Sequence, residues 1–115
     1  MTYVPFYDGS IAVYTSATNT TTATTQYSIL PLSATAYSSV EYLIQAKSGS
    51  NTHVSKVLVI HNGTDVTITE QNAITSDTYI ASYSADINSG NIRLLVTPAS
   101  ATSTTVKVVA TAIKS

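Results

Sequence analysis

The chain has 115 residues, a formal net charge of -1, 43% hydrophobic residues and only 10% charged ones. Threonine and serine number 20 and 16, a composition that excludes a coiled coil or long helix, which draws on Ala, Glu, Lys, Leu and Arg. The five basic residues form no run, which leaves electrostatic binding of nucleic acid or an anionic membrane without support, and the absence of cysteine excludes disulfides and thiolate metal sites.

The length suits one domain with a core of its own. The first residues show no basic segment followed by an apolar run, and no stretch approaches the roughly 18 apolar residues of a membrane span. The expectation is therefore a chain made in a cytoplasm, with no membrane contact.

Residues 1–25 read as an arm or extended segment, and residues 26–115 as the folded domain. The run Thr15–Thr25 holds almost nothing apolar beyond Ala17 and Ala23, which makes it too polar for a core. Tyr3, Phe6, Tyr7 and Tyr14 punctuate this arm. Tyrosine packs a ring while its hydroxyl stays in water and is enriched at interfaces. These four residues are the candidate partner-binding set, against the plainer reading that they close the domain's own core. The arm is expected to be mobile until it orders on a partner or a neighbouring subunit.

Short strands are expected at Ile11–Tyr14 and Tyr27–Leu30. From Val40 the pattern tightens. Val40–Lys47 sets Tyr42, Ile44 and Ala46 on one face and Glu41, Leu43, Gln45 and Lys47 on the other. His53–His61 contains the block Val57-Leu58-Val59-Ile60, which predicts a central strand buried on both faces. Asn62-Gly63 predicts a two-residue type I′ hairpin, returning through Thr64–Glu70. Tyr79–Ile87 alternates, with Tyr79, Ala81, Tyr83, Ala85 and Ile87 on one face. After a turn at Asn88–Asn91, Ile92–Thr97 forms a strand ended by Pro98, and Ser103–Ile113 forms the last one.

Seven to nine short strands with period-2 patterning, and no 3.6-residue stripe, describe an all-β chain folded as an antiparallel β-sandwich. The expected core comprises Ile44, Val57, Val59, Leu94 and Val96, with Leu58 and Ile60 buried on the opposite face. Ile11–Ser16 is expected to be an open, uncharged edge able to pair with another chain. Lys107 and Lys114 would guard another edge.

Chemistry is sparse. His53 and His61 share a strand face but lie roughly 26 Å apart at ~3.3 Å per residue, too far to share a metal. His61 and Asp65 flank the Asn62-Gly63 turn and form the one tight His/carboxylate pair. The carboxylates are scattered, with no calcium loop, and the glycines form no phosphate-binding loop. Asp86 and Arg93 flank the Asn88–Asn91 turn, where a structural salt bridge outweighs a subunit contact. The reading is a non-enzyme with no catalytic residues, metal ligands or cofactor.

The segment from about Tyr27 to Lys114 resembles a β-domain of virion proteins of tailed bacteriophages, above all those of marine cyanobacteria. The resemblance rests on Val40-Glu41-Tyr42-Leu43-Ile44-Gln45, on Lys56 to Thr64, on Thr69-Glu70, and most specifically on Ala85 to Pro98 continuing through Ala101 to Val108. It implies a structural virion protein. With little beyond one β-domain and an arm, the expected role is a capsid decoration or cement protein that binds the major capsid protein lattice on the virion surface, as a homotrimer. The alternative is a receptor- or glycan-binding domain of a tail fibre or other appendage.

Overall fold

The computed structural model describes residues 11–115 and the backbone of residues 2–8. These contain nine strands: β1 (Thr2–Asp8), β2 (Ala12–Thr21), β3 (Tyr27–Ser33), β4 (Tyr37–Ser48), β5 (Asn51–His61), β6 (Val66–Thr75), β7 (Ala81–Asn88), β8 (Asn91–Pro98) and β9 (Thr104–Lys114). A six-stranded sheet runs β1-β2-β9-β4-β5-β6, and a three-stranded sheet runs β3-β8-β7. Every pairing is antiparallel. The chain is an all-β sandwich, as its patterning predicts.

The core forms where the inner faces of the two sheets meet. Across the large sheet the register aligns Val13, Ala112, Val40, Val59 and Ile68 in one row, and Ala17, Val108, Ile44 and Ser55 in another. The small sheet supplies Ile29, Leu30, Leu32, Ile92, Leu94 and Val96 to the same cluster. All five principal core residues expected from sequence are buried. In β3 a register shift between Ile29 and Leu32 places Leu30 at φ 56°. This bulge lets two consecutive residues, Ile29 and Leu30, both enter the core, at a backbone cost of about 1–3 kcal/mol. Pro31 then points outward on an edge strand, where a missing N–H is tolerated.

Several expectations are corrected. Leu58 is only half-buried and Ile60 is exposed, so β5 is covered on one face alone. The second sheet lies against Val57 and Val59, and no layer covers the other side among the described residues. Residues 12–21, expected in the polar arm, form β2. They pair with β9 over ten positions and bury Val13, Thr15 and Ala17. The stretch keeps its small apolar residues and Thr15 in phase on one face, which a count of polar residues conceals. Ile11–Ser16 is consequently no open edge, since β2 lies between β1 and β9. Lys107 and Lys114 guard no edge either, because β9 lies inside the sheet between β2 and β4.

Two turns also differ. His61 pairs with Val66, so the loop holds Asn62–Asp65 rather than two residues. The Asn62 Oδ1 accepts the N–H groups of Thr64 at 3.0 Å and Asp65 at 2.8 Å, and this Asx turn replaces the type I′ geometry. The two-residue loop with positive φ at both positions is instead Ser89-Gly90, at 52° and 79°, between paired Asn88 and Asn91. Regular pairing of β7 begins at Ala81. Before it the alternation breaks, leaving Ile80 buried and Tyr79 exposed.

Candidate docking surface

The outer face of the large sheet carries the most conspicuous unassigned feature. Strict alternation in β4, β5 and β9 sends every second side chain away from the core. The register then assembles these side chains into rows. One row reads Ala12, Ile113, Ser39, Ile60 and Thr67; the next reads Tyr14, Thr111, Glu41, Leu58 and Thr69; a third includes Val109, Leu43 and Lys56. Ile60, Ile113 and Leu43 are 56%, 51% and 49% exposed. A shallow groove of about 290 Å³ runs between Ile113 and Ile60, floored by Ser39 and bordered by Glu41, Leu58 and Thr111. A second depression of about 210 Å³ adjoins it around Leu58, Ile60, Thr67 and Thr69.

The charge around the groove is slight. Lys56 Nζ lies 3.7 Å from Glu41 Oε2, an exposed pair worth little by itself. Around the groove the face is therefore aliphatic and threonine-rich with one ion pair, while the exposed Lys47 and Lys107, in phase with Leu43 and Val109, add positive charge further along it. Contiguous exposed aliphatic residues mark interaction surfaces more often than scattered single ones do. Such a lining suits packing against another protein surface.

Of the four residues expected to bind a partner, Tyr14 lies in the second outer row and is exposed. The side chains of Tyr3, Phe6 and Tyr7 fall outside the described residues. Sequence reading missed Leu43, Ile60 and Ile113 as surface features. The signal was present for Leu43, which alternates against Tyr42 and Ile44. It was obscured for Ile60 by the apolar run in which it sits.

The histidines take separate roles. His61 Nε2 donates to the Tyr37 carbonyl oxygen at 2.6 Å, and its Nδ1 accepts the Gly63 N–H at 2.9 Å. Both ring nitrogens are thus bound to backbone. Asp65 shares a shallow depression of about 150 Å³ with His61, but the ring's hydrogen bonds go elsewhere. His53 is buried on the inner face of β5, one strand length away. Arg93 and Asp86 are direct register partners. They form the expected ion pair in bidentate form, with Nε–Oδ1 at 2.8 Å and Nη2–Oδ2 at 2.6 Å. That pairing holds the Asp86 carboxyl below its ordinary value.

No protein-family model matches the chain, and no curated protein sequence matches it. Among solved structures, the fold is similar to part of the tailspike protein gp49 from Acinetobacter baumannii bacteriophage Fri1, a capsular polysaccharide depolymerase. The TM-score is 0.54 at 10% sequence identity, over 95% of this chain. The chain spans 19% of the length of that protein. Nearly the whole sandwich therefore shares the architecture of one portion of a phage tailspike.

Proposed function

We propose that this chain is a non-enzymatic structural module of a tailed-phage virion appendage, of the fibre or tailspike type. In this reading it packs through the outer face of its large sheet against copies of itself, as a homotrimer. The observation that carries the reading is the likeness to a portion of a tailspike over 95% of the chain. The aliphatic groove between Ile60 and Ile113 supports the packing role, and a net charge of -1 leaves little repulsion between copies. Among the described residues no aromatic ring lines the groove, Tyr14 lying beside it next to Thr111, and the aliphatic lining favours protein over glycan as its occupant.

The experiment is to localise the chain in purified particles by cryo-EM and to count its copies by quantitative mass spectrometry. A handful of copies per particle, confined to the tail and in mutual contact through the outer sheet face, is the expected result. Hundreds of copies on the head, each touching the major capsid protein, would establish capsid decoration instead. Binding of the isolated chain to a host-surface glycan would move the reading to a receptor-binding domain.

A further inference from the structure

The connection between β6 and β7, residues 76–80, carries the chain from the large sheet to the small one. Separate hydrogen bonds hold its two ends. Ser76 N–H donates to the Thr52 carbonyl at 2.9 Å, and Thr52 N–H donates to Ser76 Oγ at 3.0 Å. At its far end, Ala99 N–H donates to the Ile80 carbonyl at 2.8 Å. Within it, Thr75 Oγ1 donates to the Thr78 carbonyl at 2.5 Å and accepts the Asp77 N–H at 3.2 Å, and the Ile80 side chain is buried in the core. One further tie is a side chain from the large sheet. His53 Nδ1, on β5, accepts the Ile80 N–H at 3.2 Å. The ring is 1% exposed. It stacks on Tyr79 with centroids 4.8 Å apart and planes 8° apart, and lies at a tilt to Tyr83 at 6.1 Å.

This geometry selects a protonation state. A ring nitrogen that accepts an amide hydrogen carries no proton, so the His53 proton sits on Nε2. That Nε2 has no hydrogen-bond partner among the described residues. A second proton can enter only at Nδ1, where it would face the Ile80 N–H, donor against donor.

We propose that His53 is an acid-sensitive clasp: its neutral ring holds the Tyr79–Ile80 end of the β6–β7 connection onto the large sheet, and protonation at Nδ1 loosens that end. The ionisable groups around the ring are Glu70 from β6, Tyr83 from β7 and Tyr79 from the connection itself. The cross-strand neighbour on β4 is Ala46, which is uncharged. Burial pushes His53 below its ordinary value of 6.5, and Glu70 opposes this in part. The sign follows from that direction. Between the folded and the ordinary value, the released state binds a proton that the clasped state refuses, so acid favours release. Release begins as pH falls through about 6.5 and levels off below the folded value. The mechanism requires no partner, so it stands whether or not the appendage reading holds.

The test is amide hydrogen exchange of the full chain between pH 7.5 and pH 5, with rates corrected for the intrinsic pH dependence. Protection of Ile80 and its neighbours should drop by about 3- to 30-fold, the upper bound being set by an open-state value of 6.5. Amides at the centre of β9 should keep their protection over the same range. His53→Asn places an amide oxygen near the Nδ1 position and cannot titrate, so its protection at Ile80 should be flat with pH. A change under about twofold in the wild-type chain, or an equal change in H53N, would overturn the proposal. Should H53N not fold, an NMR titration of the wild-type ring decides the matter. His53 must protonate in step with loss of Ile80 protection, and uncoupled transitions overturn it as well.

Discussion

The two faces of β5 have nearly the same chemistry and opposite fates. Val57 and Val59 are sealed against the small sheet, whereas Leu58 is half-buried and Ile60 is exposed. Neighbouring strands repeat the contrast. Ile44 is buried and Leu43 beside it is not; Ala112 is buried and Ile113 is not. Burial in this molecule is decided by which side of the sheet has a second layer, not by the hydrophobicity of a residue. An apolar run in a strand shows that both sides are compatible with burial. Only the arrangement of the layers shows which side is used, and the side left bare is the natural one for contact with another molecule.

The largest expected effect sharpens the contrast at adjacent residues. Ile44→Ala and Leu94→Ala should each cost about 2–5 kcal/mol in urea denaturation, because each leaves a cavity between packed sheets. Leu43→Ala, one residue away and half-exposed, should cost less than about 1 kcal/mol. Equal costs at positions 43 and 44 would break the distinction between the faces.

The second prediction concerns the N-terminal strands. Deleting residues 1–14 removes Val13 from the core row and leaves part of β9 without its neighbour. The expected loss is at least about 1.5–3 kcal/mol, the worth of one buried aliphatic side chain, seen as a lower Tm. An unchanged Tm would return this segment to the status of an appended arm.

The inner face also has its own flaw. The Tyr42 hydroxyl is buried without a hydrogen-bond partner among the described residues, and burial pushes its pKa well up. Tyr42→Phe removes a desolvated polar group and keeps the ring. It should be neutral to stabilising, by up to about 1 kcal/mol. A clear destabilisation would show that the hydroxyl is bonded in solution.

Period-2 patterning carried most of the fold. It placed Tyr42, Ile44 and Ala46 inward, located the strand after the Asn88–Asn91 turn, and paired Asp86 with Arg93. It failed where local and tertiary information diverge. β2 is polar in composition yet keeps Val13, Thr15 and Ala17 in phase, and strand order decides that it lies next to β9. Tyr79 and Ile80 fit an alternating pattern in a segment that is still a crossover. His53 reads as an ordinary polar residue near a strand end, because its partner Ile80 N–H lies 27 residues away. The docking surface was least legible of all, since residues from β4, β5 and β9 meet only once the register is set.

The smallest effect on stability falls on that surface, and there the comparison bears on function. Ile60→Thr replaces an exposed aliphatic side chain with a β-branched polar one that a strand accepts readily. Unfolding free energy should change by no more than about 0.5 kcal/mol, as for an ordinary surface site. If the outer face joins copies of the chain, the same substitution removes apolar area from the centre of a contact. The associated fraction at a given concentration should then fall, by sedimentation equilibrium or by incorporation into particles. Ser82→Ala, at an exposed position on the small sheet, serves as the control and should leave association unchanged. Loss of association in I60T at undiminished stability separates docking from folding. Association that survives both I60T and a second outer-face change, Ile113→Thr, would show that the bare face is not where copies meet.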